Sequence, residues 1–121
     1  MPRKGQIYQW SEVPGVGNGF LRHGDGQILS AALHLDLNPD APAIILVGRG
    51  TQRKASACVL CNQDTPIGVY LFRGTNRWEY AGEFFVERSS EALEEIRKHE
   101  ARAKRTDVVR VIHLKEVDSR A

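Results

Sequence analysis

The sequence predicts an α+β fold: a small, curved, mostly antiparallel β-barrel with one or two helices at its periphery. Three observations predict this fold. Short apolar segments recur along the chain, separated by glycine, proline and polar residues, as in proteins built from many short strands. One segment with helical character stands late in the chain, just before a final apolar segment. Strands do not alternate regularly with helices, which disfavours a doubly wound parallel sheet.

The length and composition fit one globular domain over residues 1–121, with a core large enough to fold without disulfides. Hydrophobic residues make up 41% and charged residues 26% of the chain, which argues against disorder. The net charge of +2 permits a nucleic-acid partner without requiring one, because phosphate binding depends on local clusters of positive charge. No apolar run approaches a membrane span or a signal peptide, so we expect a cytoplasmic protein without membrane contact.

The N-terminal third is predicted to contain a strand, a long loop and an apolar segment of ambiguous structure. Residues 6–10 carry an isoleucine and two aromatic residues, which favours a strand. Residues 13–26 are rich in glycine and follow no sustained period, which is typical of a loop. Residues 28–37 are apolar, and their pattern does not distinguish a strand from a short helix.

The middle of the chain is predicted to alternate short strands with polar connections. Two prolines in residues 38–42 predict a turn, and the continuous apolar residues 43–47 predict a strand buried on both faces. Residues 48–54 carry three basic side chains and are predicted to form a loop, followed by a further strand over residues 55–60. The sequence Asn-Gln-Asp-Thr-Pro at residues 62–66 predicts another turn.

Residues 67–86 read as a hairpin of two apolar strands joined by the basic, polar turn RGTNR. On the second strand Trp78, Tyr80, Phe84 and Val86 share one parity and glutamates share the other, so Trp78 and Tyr80 are predicted to face inward at the start of the strand, near the turn. A β surface with rings beside guanidinium groups can stack a nucleobase and hold its phosphate. The same rings are also what antiparallel strands use to fill a core.

The C-terminal part predicts a surface helix and a closing strand. The helix spans residues 91–104, with Ser89 or Ser90 as its N-cap. Glutamates crowd its start and basic residues its end, as the helix dipole favours, so the basic end is explained without a nucleic-acid contact. Residues 108–117 predict the last strand, on which His113 lies.

Residues able to carry metal or reaction chemistry do not form a recognisable motif in the sequence. Cys58 and Cys61 have C-x-x-C spacing, but a second close pair is missing, and His99 and His113 stand too far apart along the chain to complete a zinc site. Hydrolase, P-loop and zinc-protease motifs are also missing from the sequence. We therefore expect a binding protein rather than an enzyme, with no metal and no cofactor.

Four segments carry a further signal: KGQIYQWSEV, APAIILVGRG, QDTPIGVYLFRGTNRWEYAGEFFVE and VVRVIHLKEV. The last two are the most specific, and in the longer one an apolar strand and a polar turn precede a W-x-Y-x-G-x-F pattern. Together these segments resemble the SRA-like, modified-base-reading domains of the PUA superfamily, which are found at the N-terminus of many HNH restriction endonucleases. The glycine-rich segment PGVGNGFLRHGDGQ and the charged helix depart from the family pattern.

The resemblance implies a curved barrel that takes an extruded base, typically a modified cytosine, from double-stranded DNA into a concave pocket. It also implies a role in restriction or phage defence, and leaves open whether a nuclease domain or subunit acts with the chain. The rings expected to stack on the base are Trp10, Trp78, Tyr80 and Tyr8.

Discrimination of cytosine requires an acceptor for its exocyclic amine, and the carboxylate of Asp64 is the expected one, with Gln63 as its neighbour. Basic residues in loops at the same rim are expected to hold the DNA backbone. These phosphate-binding candidates are Arg22, Arg49, Arg53, Lys54, Arg73 and Arg77.

Three other interpretations stay open at the level of sequence. The first is an RNA-binding module on the same type of barrel, because charge and rings alone do not separate DNA from RNA. The second is a domain that binds a nucleotide or another small molecule, with the glycine-rich residues 13–26 as a lid over an aromatic pocket. The third is a plain interaction domain whose rings all belong to the core.

Overall fold

The strands form one sheet that curls into a half-barrel, accompanied by two helices, in a computed structural model that describes residues 2–17 and 19–117. The α+β class is thereby confirmed. The strands are β1 (Ile7–Tyr8), β2 (Leu21–Gly24), β3 (Gln27–Leu33), β4 (Ile44–Gly48), β5 (Ile67–Gly74), β6 (Arg77–Ser90) and β7 (Val108–Glu116), and the helices are α1 (Thr51–Cys61) and α2 (Leu93–Ala103).

The sheet has the strand order β2-β3-β5-β6-β7-β4, and β1 pairs with β6 beside this path. Neighbouring strands in the sheet run antiparallel, except for β3 and β5, which run parallel. A parallel pair requires a crossover connection, and here β4 and α1 lie between the two strands in the chain. Because β4 joins the sheet at the far edge, next to β7, the sheet holds segments that are distant in sequence.

The two faces of the sheet are buried differently. One face packs against α1 and forms the main core, in which Ala57 and Leu60 of the helix meet Leu33, Ile45 and Val69 of the strands. The other face carries a smaller aromatic cluster, and α2 packs mainly on β7. The buried members of the aromatic cluster are Val13, Ala32, Tyr70, Trp78 and Tyr80.

A β-bulge in β6 separates these two environments. Tyr80 pairs with Tyr70 and Gly82 pairs with Val69, so Ala81 is the extra residue on β6. Gly82 has a φ of +122°, a conformation that residues with a side chain rarely adopt. The inserted residue shifts the alternation of the strand by one position.

The bulge decides which face each aromatic residue of β6 reaches. Trp78 and Tyr80 are buried, as predicted, and belong to the aromatic cluster. Phe84 and Val86 instead contact the main core on the other face. The four residues therefore lie on two faces although they share one parity in the sequence, because the bulge shifts the alternation between Tyr80 and Phe84.

The largest difference from the sequence prediction is α1. The loop over residues 48–54 and the strand over residues 55–60 are wrong, since Thr51–Cys61 is one helix. Its first turn is polar and exposed, whereas Ala57 and Leu60, three residues apart, are buried in the main core. The boundary between polar and apolar residues thus lies within a helix and does not separate a loop from a strand.

The predicted loop over residues 13–26 contains strand β2. Leu21–Gly24 forms a hairpin with β3, and Asp25 and Gly26 make the two-residue turn. Both turn residues have positive φ, at +53° and +78°, which matches the Asp-Gly preference of type I′ turns. The ambiguous residues 28–37 begin as strand β3 and leave it after Leu33.

The C-terminal predictions are confirmed, with a shift at the helix start. Helix α2 and strand β7 lie within the predicted ranges. Ser89 and Ser90 are the last residues of β6, and the N-cap of α2 is Ala92, whose backbone N–H donates to the Ser90 hydroxyl. Among the described residues, both α-helices are too short to cross a bilayer.

An ion pair fastens the segment after α2 to the sheet. The partly buried Arg105 guanidinium donates to both carboxylate oxygens of Asp107, at 2.9 Å each, and to the carbonyl oxygens of Leu37 and Leu46. These bonds join the start of β7 to residues at and before β4. The guanidinium holds the pKa of the Asp107 carboxyl below its usual value.

We predict that Gly82→Ala lowers the free energy of unfolding by about 1–3 kcal/mol, because a side chain strains the positive φ of the bulge. The new Cβ would also lie 2.9 Å from Oε2 of Glu116. Urea denaturation measures the change. The control is Gly19→Ala, since Gly19 has open space around its Cβ position and no positive φ. Equal stability of the two variants would contradict the assigned strain.

We predict that Asp107→Asn destabilises the fold at neutral pH by up to about 1 kcal/mol, a small value because the carboxylate is partly exposed. The folded-state pKa of Asp107 is depressed, so its contribution is present above the unfolded pKa of about 3.9 and is lost as the pH falls through the folded value. Denaturation curves of both proteins should converge in acid. A stability difference that persists unchanged at low pH would refute this.

Candidate functional site

A cavity of about 560 Å³ opens beside the turn between β5 and β6. This volume lies within the range of about 300–1,000 Å³ that is usual for ligand pockets. We call it the aromatic pocket. Its lining residues are Trp10, Gly19, Phe20, Ala32, His34, Phe72, Thr75, Asn76 and Trp78.

Four rings from separate parts of the chain form its wall. Phe72 and Trp78 are partners across the β5–β6 ladder, with ring centroids 5.3 Å apart. The exposed His34, which follows β3, stacks on Phe72 at 4.3 Å and meets Trp78 edge-on at 5.6 Å. Trp10, in the short 3₁₀ turn after β1, lies 5.2 Å from Trp78. The wall is therefore a set of closely spaced aromatic surfaces of the kind that stacks on a flat heterocycle.

The polar side chains of the wall come mainly from the hairpin turn. Thr75 and Asn76 occupy the turn itself, and Asn76 adopts a left-handed φ of +56°. The Asn76 Oδ1 accepts a hydrogen bond of 2.7 Å from the backbone N–H of Trp10. This bond ties the turn to the segment that carries the tryptophan. The Asn76 Nδ2 group, the Thr75 hydroxyl and the His34 imidazole supply hydrogen-bonding groups to the pocket.

Arg22 supports Trp10 from a buried position. Its guanidinium carbon lies 4.1 Å from the Trp10 ring centroid, and its Nη1 and Nη2 donate to the carbonyl oxygens of Gly17 and Gly15 at 2.5 and 2.7 Å. The residue is only 8% exposed, and its Nε finds no acceptor among the described residues. Burial lowers the pKa of Arg22, but an arginine stays charged in proteins. The structure thus places Arg22, one of the expected phosphate-binding residues, in contacts within the protein.

Tyr8 and Tyr80 stand behind the aromatic pocket and do not line it. Tyr70 lies between them, with ring centroids 5.1 Å from Tyr80 and 6.2 Å from Tyr8. Burial raises the pKa of Tyr70 to about 12 and raises that of Tyr80 as well. Of the rings expected to stack on a base, the structure brings Trp10 and Trp78 together and places the two tyrosines in the packing behind them.

The expected base-reading residues Asp64 and Gln63 lie elsewhere. The Gln63 side chain accepts a hydrogen bond of 2.7 Å from the backbone N–H of Ile28 and donates one of 2.9 Å to its carbonyl. It thereby pairs with the backbone at the start of β3. Asp64 is exposed in the turn before β5. The pocket wall residue Phe72 is five residues beyond Ile67, the start of β5, which corresponds to about 17 Å along a strand. Asp64 and Gln63 are therefore not among the residues that line the aromatic pocket.

Three of the expected phosphate-binding residues lie around the start of α1. Arg49 is exposed and its Nη2 donates to the carbonyl of Thr106 at 2.9 Å, while the Nη1 of Arg53 donates to the carbonyl of Arg49 at 2.8 Å. Lys54 is exposed in the first turn of α1. Arg53 also lines a second cavity of about 880 Å³, which shares Gly19 and Phe20 with the aromatic pocket.

The two arginines of the hairpin differ in their contacts. Arg73 is engaged with Glu79, through an Nε–Oε1 distance of 2.8 Å. Arg77 is exposed and lies in the chain between Asn76 and Trp78, which both line the aromatic pocket, but it is not itself a lining residue. Arg77 and the arginines near α1 are thus the better placed of the basic residues for a phosphate beside the pocket.

His34 and Phe72 belong to the pocket but do not appear among the residues expected from the sequence. Phe72 was visible as an aromatic residue of the hairpin, two positions after Tyr70. Ala32 and His34 are two positions apart, so their side chains lie on the same face only if the chain is extended there. Strand β3, which ends at Leu33, provides this conformation. The undecided secondary structure of that segment therefore hid the histidine.

The second cavity also contains a hydrogen-bonded pair, in which Nε2 of His23 lies 2.9 Å from Oγ of Ser56. Potential metal ligands lie elsewhere, where α2 packs on β7. The donor atoms of Glu95, His99 and His113 all lie within 4.8 Å of one another. The packing of α2 on β7 thus brings His99 and His113 together, although they are far apart in the sequence.

Comparison with models of protein families, with curated proteins and with solved structures finds no match to this chain.

We predict that Arg22→Met lowers the free energy of unfolding by about 1–3 kcal/mol, because two charge-assisted hydrogen bonds and the contact with Trp10 are lost. The matched control is Arg77→Met, which removes an exposed arginine of the same size. Urea denaturation of both variants gives the comparison. An equal loss of unfolding free energy in the two variants would contradict the supporting role of Arg22.

Proposed function

We propose that this protein is a DNA-binding module that accepts one extruded, modified base in the aromatic pocket. The observation that carries the proposal is the open cavity lined by the rings of Trp10, His34, Phe72 and Trp78. The curled half-barrel and the sequence segments that resemble SRA-like domains of the PUA superfamily support the same function. The partner is double-stranded DNA that carries a cytosine-derived modification.

The energetics of the pocket support the capture of a single base. Extrusion from a duplex costs a few kcal/mol, and stacking on aromatic side chains returns about 1–3 kcal/mol per base. Trp10 is only partly buried and His34 is exposed, so the rings of both are accessible to a ligand. Contacts on more than one side of a base, together with contacts to its phosphates, offset the cost of extrusion.

Recognition of the base falls to the groups that line the pocket. The Oδ1 of Asn76 is engaged with Trp10, so its Nδ2 is the donor for a carbonyl oxygen or a ring nitrogen of the base. The Thr75 hydroxyl oxygen and a neutral His34 imidazole can each accept a hydrogen bond, and so can serve the exocyclic amine of a cytosine in place of Asp64. The small side chain of Ala32 leaves apolar room for a substituent such as a methyl group.

The distribution of positive charge supports a duplex beside the pocket. The exposed Arg77 directly follows the turn that lines the pocket, and Arg49, Arg53 and Lys54 cluster at the start of α1. The second cavity, which Arg53 lines, meets the aromatic pocket at Gly19 and Phe20. A DNA backbone that follows this second cavity would contact the basic cluster while its extruded base enters the aromatic pocket.

The proposal is tested by measuring the affinity of the chain for duplexes that differ in one cytosine, at matched salt. We expect tighter binding when that cytosine is methylated, hydroxymethylated or glucosylated than when it is unmodified. Trp10→Ala should weaken binding to the preferred duplex by about 5- to 150-fold, which corresponds to 1–3 kcal/mol of stacking.

Asp64→Ala is the control, because Asp64 is exposed and lies at the other end of β5. It should leave the affinity unchanged. Equal affinity for modified and plain duplexes would reject base recognition. Tighter binding of an RNA strand of the same length would favour an RNA-binding module, and an effect of free nucleotides without any effect of oligonucleotides would favour a small-molecule site.

A further inference from the structure

Glu95, His99 and His113 form a cluster of potential ligands at the contact between α2 and β7. Glu95 and His99 are four residues apart on α2 and therefore lie on one face of the helix. His113 lies on β7, the strand against which α2 packs. His99 is buried, whereas Glu95 and His113 are half-buried. The donor atoms of all three lie within 4.8 Å of one another.

We propose that these three residues bind a divalent transition-metal ion, and that Zn²⁺ is the ion they fit best. Two imidazoles and one carboxylate form a ligand set that zinc uses when it keeps a fourth position for water. Imidazole nitrogens favour zinc and its neighbours over magnesium or calcium. The site is independent of the proposed DNA binding, since none of the three residues lines the aromatic pocket.

The distances are compatible with zinc after a small contraction. Tetrahedral bonds of about 2.0–2.2 Å place the ligand atoms about 3.3–3.5 Å apart. Nε2 of His113 already contacts Oε2 of Glu95, and the remaining separations do not exceed 4.8 Å. Because Glu95 and His113 are half-buried, their side chains have room to adjust. Zn²⁺ bound through Nε2 of His113 would replace the hydrogen bond between Nε2 and Oε2 of Glu95, and it would require the neutral imidazole with its one proton on Nδ1.

The surroundings orient the carboxylate for a single metal bond. Oε1 of Glu95 accepts a hydrogen bond of 3.2 Å from Nη1 of Arg88, and Oε2 is the oxygen that faces His113. An outer partner of this kind fixes which oxygen of a carboxylate binds the ion. The metal would join α2 to β7 beside the small apolar cluster that already holds them, which includes Ile96 and Val111.

The competing explanation is that Glu95 and His113 form only an ion pair, with His99 packed beside them; the rings of His99 and His113 are 6.1 Å apart. Metal titration separates the two. The full chain carries Cys58→Ser and Cys61→Ser, because these free cysteines on α1 could bind metal by themselves. It is freed of metal with a chelator, and Zn²⁺ binding is measured by calorimetry and Co²⁺ binding by absorption.

We expect one Zn²⁺ per chain, a higher thermal-unfolding midpoint with Zn²⁺, and a tetrahedral Co²⁺ spectrum without thiolate charge transfer. Glu95→Gln and His113→Gln should each weaken Zn²⁺ binding by at least the 10- to 100-fold that loss of an outer partner typically costs. Glu94→Gln is the matched control, since it removes the same charge from the neighbouring, exposed position of α2.

Two results would overturn the proposal. One is the absence of Zn²⁺ and Co²⁺ binding at micromolar protein concentration by a chain whose circular dichroism shows that it is folded. The other is metal binding that Glu95→Gln and His113→Gln leave as strong as Glu94→Gln does. Circular dichroism of each variant without metal separates loss of a ligand from loss of the fold.

Discussion

The contact between the buried Arg22 guanidinium and the ring of Trp10 is the interaction on which the aromatic pocket depends. The same guanidinium holds the carbonyl oxygens of Gly15 and Gly17, so one side chain fixes both the tryptophan and the glycine-rich segment beside it. A buried charge requires such partners, because burial without them is costly. The turn residue Asn76 also accepts a hydrogen bond from the backbone N–H of Trp10. Trp10 is thus held by two separate contacts, one to its ring and one to its backbone, and the residue stays partly exposed.

The β-bulge at Gly82 explains how the sheet combines a packed face with a face that can bind a ligand. Before the bulge, Trp78 reaches the aromatic cluster, and after it Phe84 reaches the main core under α1. Most of the stability therefore resides in the main core, where large apolar side chains are almost fully buried. The aromatic face is supported by this core without being covered by α1. Rings such as Phe72 and His34 can then remain partly exposed at the pocket.

The sequence predicts the local elements well and the non-local ones poorly. The hairpin of β5 and β6, the helix α2 and the strand β7 show clear periods or charge patterns, and their predictions are confirmed. The sequence does not indicate helix α1, because the helix buries only Ala57 and Leu60. Two buried residues are too few to show a helical period. Trp10 and Trp78 could be proposed from their residue type, but His34 depends on the parallel register of β3 and β5, which no local pattern reveals. Asp64 lies away from the pocket because it precedes β5, whereas the pocket lies at the other end of that strand. The sequence alone does not show at which end of β5 the pocket forms.

The most direct test of the central claim uses the tryptophan fluorescence of the unmodified chain. Both of its tryptophans, Trp10 and Trp78, line the aromatic pocket, so their emission reports on the pocket alone. The protein is titrated with a duplex that carries one modified cytosine, while the anisotropy of a dye on the DNA follows binding. If the base enters the pocket and stacks on the indoles, tryptophan emission is quenched with the same midpoint as the anisotropy change. Binding by anisotropy with unchanged tryptophan emission would contradict the account.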